Sequence, residues 1–278
     1  MEEVAGLVRR VVSSPLTVLG LVIVLIIIVS AIFAPAIATH SPTEVDLLSK
    51  LEAPSGEHYF GTDEVGRDIF SRIVYGTRIS LRIGLLVVLI SFPIGTILGA
   101  IAGYIGGRVD QIIMRITDIF LSFPGIILAM SIAAALGPSI ENVMLALAAT
   151  WWPWYTRIVR SSVLSIKHSE FIEASRALGA NPFRILFKEI IPNSIAPATI
   201  QASLDLGFVI LSAAGLSFIG LGAQPPSPEW GAMLSNSREI LREAWWAATF
   251  PGIAILLTVL GFNLLGDGLN DVMDPKQR

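Results

Sequence analysis

The residues that decide the fold form the stretch Glu170–Pro192, which reads EFIEASRALGANPFRILFKEIIP. Its first half, roughly residues 169–178, consists of good helix formers and ends at Gly179, a residue type that often terminates helices. Asn181 and Pro182 then provide a cap residue followed by a proline, which is how a new helix begins. The stretch therefore predicts two short helices joined by a tight corner.

The second of these helices is predicted to have one apolar face. Its apolar residues recur at the i, i+3, i+4, i+7 and i+8 positions of a helix, and they are Phe183, Leu186, Phe187, Ile190 and Ile191. A connection between two membrane spans needs only a few residues, so a loop this long and this patterned predicts a docking surface. The alternative is a solvated loop with chance helicity.

The composition is typical of a chain that crosses a membrane several times. Of the 278 residues, 53% are hydrophobic and 15% are charged, whereas soluble domains have about 25% charged residues. The net charge of −3 gives no indication of a nucleic-acid partner. The chain has no cysteine, which excludes disulfides, thiolate metal sites and cysteine nucleophiles.

Six apolar runs are close to the length of about 20 residues that a membrane-spanning helix needs. They occupy residues 17–38, 83–104, 117–136, 143–159, 195–219 and 248–266. We therefore predict an all-α polytopic membrane protein with six transmembrane helices. Residues 1–82 would form an amino-terminal tail, the first helix and an outer loop, and residues 83–278 a five-helix core that includes the loop 160–194.

The first run has an alternative interpretation as a cleaved signal peptide, because Ala36-Ile37-Ala38 resembles a cleavage site. The run is longer than the apolar region of about 7–15 residues in a signal peptide, which favours an uncleaved helix. Six spans place both termini on one side. Most of the lysines and arginines lie on that side, so we expect it to be cytoplasmic. The arginines between Arg67 and Arg82 are an exception, because they lie in the predicted outer loop.

The outer loop, residues 39–82, contains an apolar stripe and several carboxylates. The stripe predicts a helix lying along the membrane interface, and its residues are Ile69, Phe70, Ile73 and Val74. Asp63, Glu64 and Asp68 could form a calcium site, but their spacing matches no known binding loop. Helix capping and surface charge are the favoured roles for these carboxylates.

Two further patterns concern packing in the bilayer. Gly95, Gly99 and Gly103 recur every fourth residue of the second span, with Gly107 following, and this ridge predicts close contact with a neighbouring helix. All six tryptophans lie near span ends or in outer loops, as an aromatic belt would place them.

The sequence contains no catalytic motif. There is no Gly-x-x-x-x-Gly-Lys-Ser/Thr loop for ATP, no His-Glu-x-x-His metal motif and no Gly-x-Ser-x-Gly nucleophile motif. The three histidines lie outside the apolar runs, and we predict no metal site. Polar residues within a span are costly and need a reason: Gln201 and Asp205, with Ser212 nearby, either line a translocation pathway or bond to a neighbouring helix.

The stretch quoted above resembles the cytoplasmic loop of membrane subunits in ATP-driven (ABC) importers. That family pattern is Glu-Ala-Ala, three residues, Gly, nine residues, then Ile-x-Leu-Pro. Glu173, Ala174, Gly179 and Pro192 are in register with it. The sequence departs from the pattern at three positions, which are Ser175, Glu189 and Ile191.

The likeness extends over nearly the whole chain. It is strongest for the dipeptide, oligopeptide and nickel branch of these permeases, and within that branch for the shorter of the two paired subunits. The matching segments are Leu16–Pro35, Gly61–Arg78, Arg115–Pro124, Leu216–Gly222 and Gly266–Pro275.

The resemblance implies a type I ABC importer permease fold in a prokaryotic cell (inner) membrane, with a cytoplasmic coupling helix that sits in a groove on an ATPase subunit. It implies a non-catalytic chain without a cofactor, since ATP and magnesium would bind to the ATPases. The implied partners are a second permease subunit in a heterodimer, two ATPase subunits, an extracytoplasmic substrate-binding protein that docks on residues 39–82 and 220–247, and membrane lipid. The implied ATPase contacts are Glu170, Glu173, Ala174, Arg176, Leu178 and Gly179.

The same resemblance implies that the cargo is a di- or oligopeptide. Nickel or oligosaccharide import by the same machinery is the alternative, because the binding protein largely selects the cargo. An ion-coupled secondary transporter is the rival class, and Asp205 is the residue on which such a carrier would depend.

Overall fold

The computed structural model describes residues 14–273. Within this part of the chain the regular structure is helical, which confirms the predicted all-α fold. The helices are α1 (Pro15–Ile32), α2 (Ala34–Ile37), α3 (Ile69–Ile105), α4 (Gly107–Leu121), α5 (Gly125–Leu136), α6 (Ile140–Ile166), α7 (Glu170–Ala177), α8 (Pro182–Arg184), a π-helix (Ile185–Ile190), α9 (Ile191–Ser194), α10 (Ala196–Phe218), α11 (Trp230–Asn236) and α12 (Trp246–Met273), with a short 3₁₀ turn at Leu47–Ser49.

Four or five helices of the described residues are suited to crossing a bilayer, so the predicted number of six is not confirmed. By length and composition α1, α3, α10 and α12 qualify, and α4 with α5 makes a fifth if the pair is one broken span. The predicted third span, 117–136, is therefore wrong as a single helix. Pro124 precedes α5 and cannot continue the hydrogen bonding of α4, and the two helices meet at 85°.

The predicted fourth span, 143–159, lies within α6. This helix has 27 residues, which at 1.5 Å per residue gives a length of about 40 Å. It is long enough to cross a bilayer, but it is not among the helices that are also apolar enough. Arg157 and Arg160 of α6 pair with Asp118 and Asp110 of α4, at 2.7 and 2.5 Å. These ion pairs fix α4 against α6.

The apolar stripe of the outer loop is not a separate helix on the membrane surface. Ile69 and Val74 are buried at the start of α3, which continues without a break to Ile105. Asp68 caps α3 by accepting a hydrogen bond from the Ser71 amide at 2.7 Å. The prediction of an interfacial helix is wrong because packing against the outer loops buries the stripe instead.

The glycine ridge of α3 packs against α6, as predicted. A Cβ atom added at Gly95 or Gly99 would lie 2.5 Å from the backbone oxygen of Trp152 or Thr156, and one at Gly103 would lie 2.8 Å from the Val163 side chain. Gly107 has open space around it, so the ridge ends before it.

The first helix also packs through glycine. A Cβ added at Gly20 of α1 would lie 2.7 Å from the Cβ of Leu264 in α12, and Gly268 of α12 lies directly against Thr17. The start of α1 therefore lies beside the end of α12.

Candidate functional site

The segment that resembles a coupling loop folds as the two short helices and corner that its sequence predicts. α7 ends where the Ala180 amide donates to the Ser175 carbonyl, at 3.0 Å. Gly179 has a φ of +78°, a left-handed conformation that costs other residues about 1–2 kcal/mol. The Asn181 side chain then accepts a hydrogen bond from the Phe183 amide at 2.9 Å and caps the second helix.

The predicted apolar face of the second helix is correct for Leu186, Ile190 and the half-buried Ile191, and wrong for Phe183 and Phe187. Leu186 and Ile190 are buried together with Ile185, whereas Phe183 is 74% and Phe187 49% exposed. The cause is the π-helix at Ile185–Ile190. Its wider turn changes which residues share a face, so spacing counted for an α-helix selects the wrong set.

The coupling segment, residues 170–194, is anchored to the spans by buried contacts. Ile172 of α7 has no exposed surface and packs in one cluster with Val163 of α6 and Ala100 of α3. The Arg176 guanidinium lies 5.4 Å from the centre of the Tyr104 ring, at the end of α3. A movement of α7 must therefore be passed to α3 and α6.

The opposite face of the segment is open to solvent. Leu178 at the corner is 89% exposed. Glu170 and Glu173 have no ion-pair partner in the residues 14–273. The six predicted contact residues are all exposed, and they are Glu170, Glu173, Ala174, Arg176, Leu178 and Gly179.

Three aromatic residues also lie on this surface. Phe171, Phe183 and Phe187 are exposed on the same segment as Leu178, although the sequence pattern had placed Phe183 and Phe187 on the apolar face of the second helix. No signal in the sequence separates Phe187 from its buried neighbours, because the π-helix at Ile185–Ile190 that contains it has no sequence motif.

Of the three polar residues predicted in this span, α10 brings Gln201 and Asp205 into contact but not Ser212. The Gln201 side-chain amide donates to Asp205 Oδ1 at 2.9 Å, along one face of the helix. Asp205 is buried, and its Oδ2 has no hydrogen-bond partner. Tyr155 of α6 lies near it with a buried hydroxyl that also lacks one. Ser212 is half-buried two turns further along and bonds to neither residue.

The carboxylates of the outer loop belong to a buried network and not to the protein surface. Asp63 accepts a hydrogen bond from Arg67 Nε at 2.6 Å, and both side chains are buried. The expected capping role is correct for Asp68, but the expectation of surface charge is wrong for Asp63 and Asp68. Because Asp63 is already paired with Arg67, its carboxylate is not free to bind calcium, and the calcium site is not supported.

Two arginines and two tryptophans connect the outer segments. Arg72 donates to the carbonyls of Pro42 and Pro226, at 2.8 and 3.2 Å. Arg78 donates to the last carbonyls of α1. These contacts explain why basic residues occur here against the general charge bias. The belt prediction is wrong for the three buried tryptophans, Trp152, Trp230 and Trp246. Trp230 and Trp246 donate to the Ile73 and Thr62 carbonyls.

The two outer loops enclose a cavity of about 870 Å³. It is lined from one side by Val45, Glu64 and Arg67, and from the other by Pro225 and residues of the segment 235–239. In the second of these loops, Glu229 caps α11 by accepting hydrogen bonds from the Gly231 and Ala232 amides. Burial raises the pKa of Glu229, and these two hydrogen bonds oppose that shift.

Two known protein families match this chain, one over most of its length and one near its start. Residues 95–278 match the family described as binding-protein-dependent transport system inner membrane component. The chain belongs to this family. Residues 6–54 of the permease also match the N-terminal TM domain of oligopeptide transport permease C.

Individual relatives match the permease over most of its length. It is 50% identical to the probable D,D-dipeptide transport system permease protein of Escherichia coli K12, over 98% of this chain and 91% of the relative. It is 49% identical to the dipeptide transport system permease protein of Alkalihalophilus pseudofirmus, over 97% and 89%. It is also 49% identical to a glutathione transport system permease protein of Pectobacterium atrosepticum, over 81% and 75%.

A solved structure supports the fold. The permease matches a chain of the MetNI methionine ABC transporter in an inward-facing conformation, with a TM-score of 0.61 and 20% identity, over 74% of this chain and 98% of that one. The family match and the relatives of about 50% identity show that the permease is a non-catalytic, multi-pass inner-membrane subunit of an ATP-driven, binding-protein-dependent importer, which acts with ATPase and substrate-binding partners.

Proposed function

We propose that this permease forms half of the translocation pathway of an importer for di- or oligopeptides. The other half would be a second, related permease subunit, and the assembly would contain two ATPase subunits that bind ATP and magnesium. The names of the relatives support a peptide cargo, because several with about 50% identity are dipeptide permeases.

The coupling segment carries this proposal. It has a buried anchor, Ile172, and an open face with two unpaired carboxylates, Leu178 and exposed aromatic side chains. An apolar and acidic surface of this kind fits a groove on an ATPase subunit. When two ATPases close on ATP, they would draw the paired coupling segments together, and α3 and α6 would transmit the movement to the outer face.

The packing at the two ends of the described chain, the start of α1 and the last turns of α12, supports a cytoplasmic location for both termini. The coupling segment leads directly into α10, and Leu204 in the first half of α10 contacts Gly266 near the end of α12. The start of α1 lies beside the same end of α12 through Thr17 and Gly268. Both ends of the described chain thus lie toward the coupling segment, and the cavity between the outer loops faces away from it. We propose that this cavity receives the substrate-binding protein.

Reconstitution tests the cargo. The permease, its partner permease, both ATPases and the binding protein are assembled in proteoliposomes, and ATP-driven uptake of a labelled dipeptide is compared with uptake of Ni²⁺ and of an oligosaccharide. We expect peptide uptake that requires ATP and the binding protein. Uptake of nickel or oligosaccharide without peptide uptake would overturn the cargo assignment, and transport by the permease alone would overturn the importer assignment.

Two substitutions of Gly179 test whether the corner of the coupling segment needs a glycine because of its backbone conformation. Valine cannot readily adopt the observed φ of +78°, so Gly179→Val is expected to reduce ATP-driven uptake by about 5–30-fold, corresponding to about 1–2 kcal/mol. Asparagine tolerates the left-handed conformation, and Gly179→Asn should retain most of the uptake. If asparagine is as harmful as valine, the position is limited by space against the ATPase and not by its conformation.

The effect of substituting Asp205 on uptake distinguishes an ATP-driven importer from an ion-coupled carrier. Its burial beside Tyr155 favours a polar contact inside the helix bundle. Asparagine keeps an acceptor for Gln201 and removes the buried charge. Asp205→Asn is therefore expected to leave ATP-driven uptake within about fivefold of the wild type, since one altered hydrogen bond is worth about 1 kcal/mol. Uptake driven by a proton gradient without ATP, and lost in this variant, would instead support the carrier.

A further inference from the structure

Three side chains of the outer loop come together although the sequence separates them. His40, Glu57 and His58 each offer a ligand atom, and these atoms lie within 4.8 Å of one another. The two imidazole rings have their centres 4.7 Å apart. His58 is buried, His40 is half-buried and Glu57 is exposed, so the group is open to solvent on one side.

The hydrogen bonds of the two histidines direct one nitrogen of each ring to the protein. His58 Nδ1 lies 3.0 Å from Asp68 Oδ1, and the Asp68 side chain is 1% exposed. His40 Nδ1 lies 3.0 Å from Thr39 Oγ1. The Nε2 atoms make no hydrogen bond to any of the residues 14–273. A carboxylate behind the imidazole is the usual second partner of a metal-binding histidine, because it fixes the tautomer and the ring orientation.

The electrostatic surroundings favour a cation. The group lines a cavity of about 140 Å³ whose wall includes the carboxylates of Glu44, Asp46, Glu57 and Asp68, and no lysine or arginine. Hydrogen bonds from the Ser49 hydroxyl and the Leu48 amide lower the pKa of Asp46, so this carboxyl is ionised at neutral pH. The four carboxylates in its wall, with no lysine or arginine among the lining residues, make the cavity negative.

We propose that His40, Glu57 and His58 bind one divalent transition-metal ion such as Zn²⁺, with Asp68 and Thr39 orienting the two rings. Imidazole with carboxylate suits Zn²⁺, and three protein ligands leave a fourth position for water. Bonds of about 2.0–2.2 Å require the ligand atoms to approach one another more closely than they do here. The exposed Glu57 side chain provides this movement.

The ion would connect the segment after α2 and the loop before Gly61 to the start of α3, which Asp68 caps. It would also stiffen one wall of the 870 Å³ outer cavity, since Val45 lines that cavity while its neighbours Glu44 and Asp46 line the metal cavity. The inference does not depend on the identity of the cargo.

The test uses the assembled importer, purified without a polyhistidine tag and freed of metal with a chelator. Zn²⁺ binding is measured by calorimetry and by metal analysis after dialysis, and Tm is recorded with and without Zn²⁺. Because partner subunits can also bind zinc, each variant of this chain is compared with the wild-type assembly. We expect the wild type to hold one more Zn²⁺ per permease than the His40→Ala variant, and to show a Zn²⁺-dependent rise in Tm that this variant lacks.

Two further variants keep the test decisive. Glu57→Gln alters an exposed ligand without disturbing the fold, and it should weaken Zn²⁺ binding at this site at least about 10-fold. His168→Ala is the matched control, because it removes the one histidine outside the cluster, which is exposed before α7. The proposal is overturned if His40→Ala and the wild type bind the same amount of Zn²⁺, or if His168→Ala alone removes the additional ion.

Discussion

Replacing Leu178 with aspartate is expected to separate the permease from its ATPase subunits and to reduce ATP-driven uptake at least about 100-fold. Leu178 is 89% exposed at the corner of the coupling segment. It makes no part of the buried anchor, so the substitution leaves the fold in place. A charge in the centre of an apolar interface costs about 2–4 kcal/mol, as for other interface hot spots, and about 2.7 kcal/mol corresponds to a 100-fold loss of affinity.

The measurement is co-purification of the ATPases with the permease, together with uptake in proteoliposomes. Leu48→Asp is the matched control, because Leu48 is 96% exposed in the outer loop and is expected to retain both ATPases. Glu173→Ala should also weaken the contact, and Glu173→Gln tests how much of that effect is charge. Normal ATPase retention in Leu178→Asp would mean that the coupling segment does not dock on the ATPase.

Replacing Gly99 with leucine is expected to prevent stable packing of α3 against α6. Even the first carbon of a side chain would lie 2.5 Å from the Thr156 oxygen and 3.0 Å from the Arg160 nitrogen. These are backbone atoms of a long helix and cannot move aside as a flexible side chain can. Overpacking of this kind costs about 3 kcal/mol or more, which lowers Tm by about 6–12 °C in a chain of this size.

The smaller change Gly99→Ala permits a matched comparison with Gly252→Ala. Both glycines lie in long apolar helices, but a Cβ at Gly252 meets nothing within 4 Å. We expect Gly252→Ala to be neutral or slightly stabilising, because alanine favours the helix by about 1 kcal/mol, and Gly99→Ala to lower Tm. The measurement is thermal unfolding of the purified protein in detergent. Equal Tm values for the two variants would contradict the close packing of α3 on α6.

Features that depend on local conformation could be predicted from the sequence. The corner of the coupling segment is one of them, since a glycine that ends a helix and an Asn-Pro pair that begins one act through their own backbone. The glycine ridge is another, because residues four apart must share a helix face whatever lies opposite. The apolar composition likewise requires helices in a membrane, since their backbone groups bond internally.

Other features could not be predicted, because they depend on which segments meet. The Asp63–Arg67 pair looks like surface charge until two outer loops bury it, and the stripe at Ile69 and Val74 looks like a membrane-surface helix until α3 extends through it. His40 and His58 become neighbours only through folding of the outer loop, so no spacing rule along the chain indicates their site.

The sequence by itself therefore determined the helical class, the corner at Gly179 and the close approach of α3 to a neighbour, because each follows from backbone preference or from the period of one helix. Only the tertiary structure decided which residues face outward on the coupling segment. The π-helix there leaves Phe187 exposed and buries Ile185, Leu186 and Ile190 in one cluster with residues of α3 and α6. Packing between distant segments leaves no periodic signal in the chain, so this pattern could not be counted from the sequence.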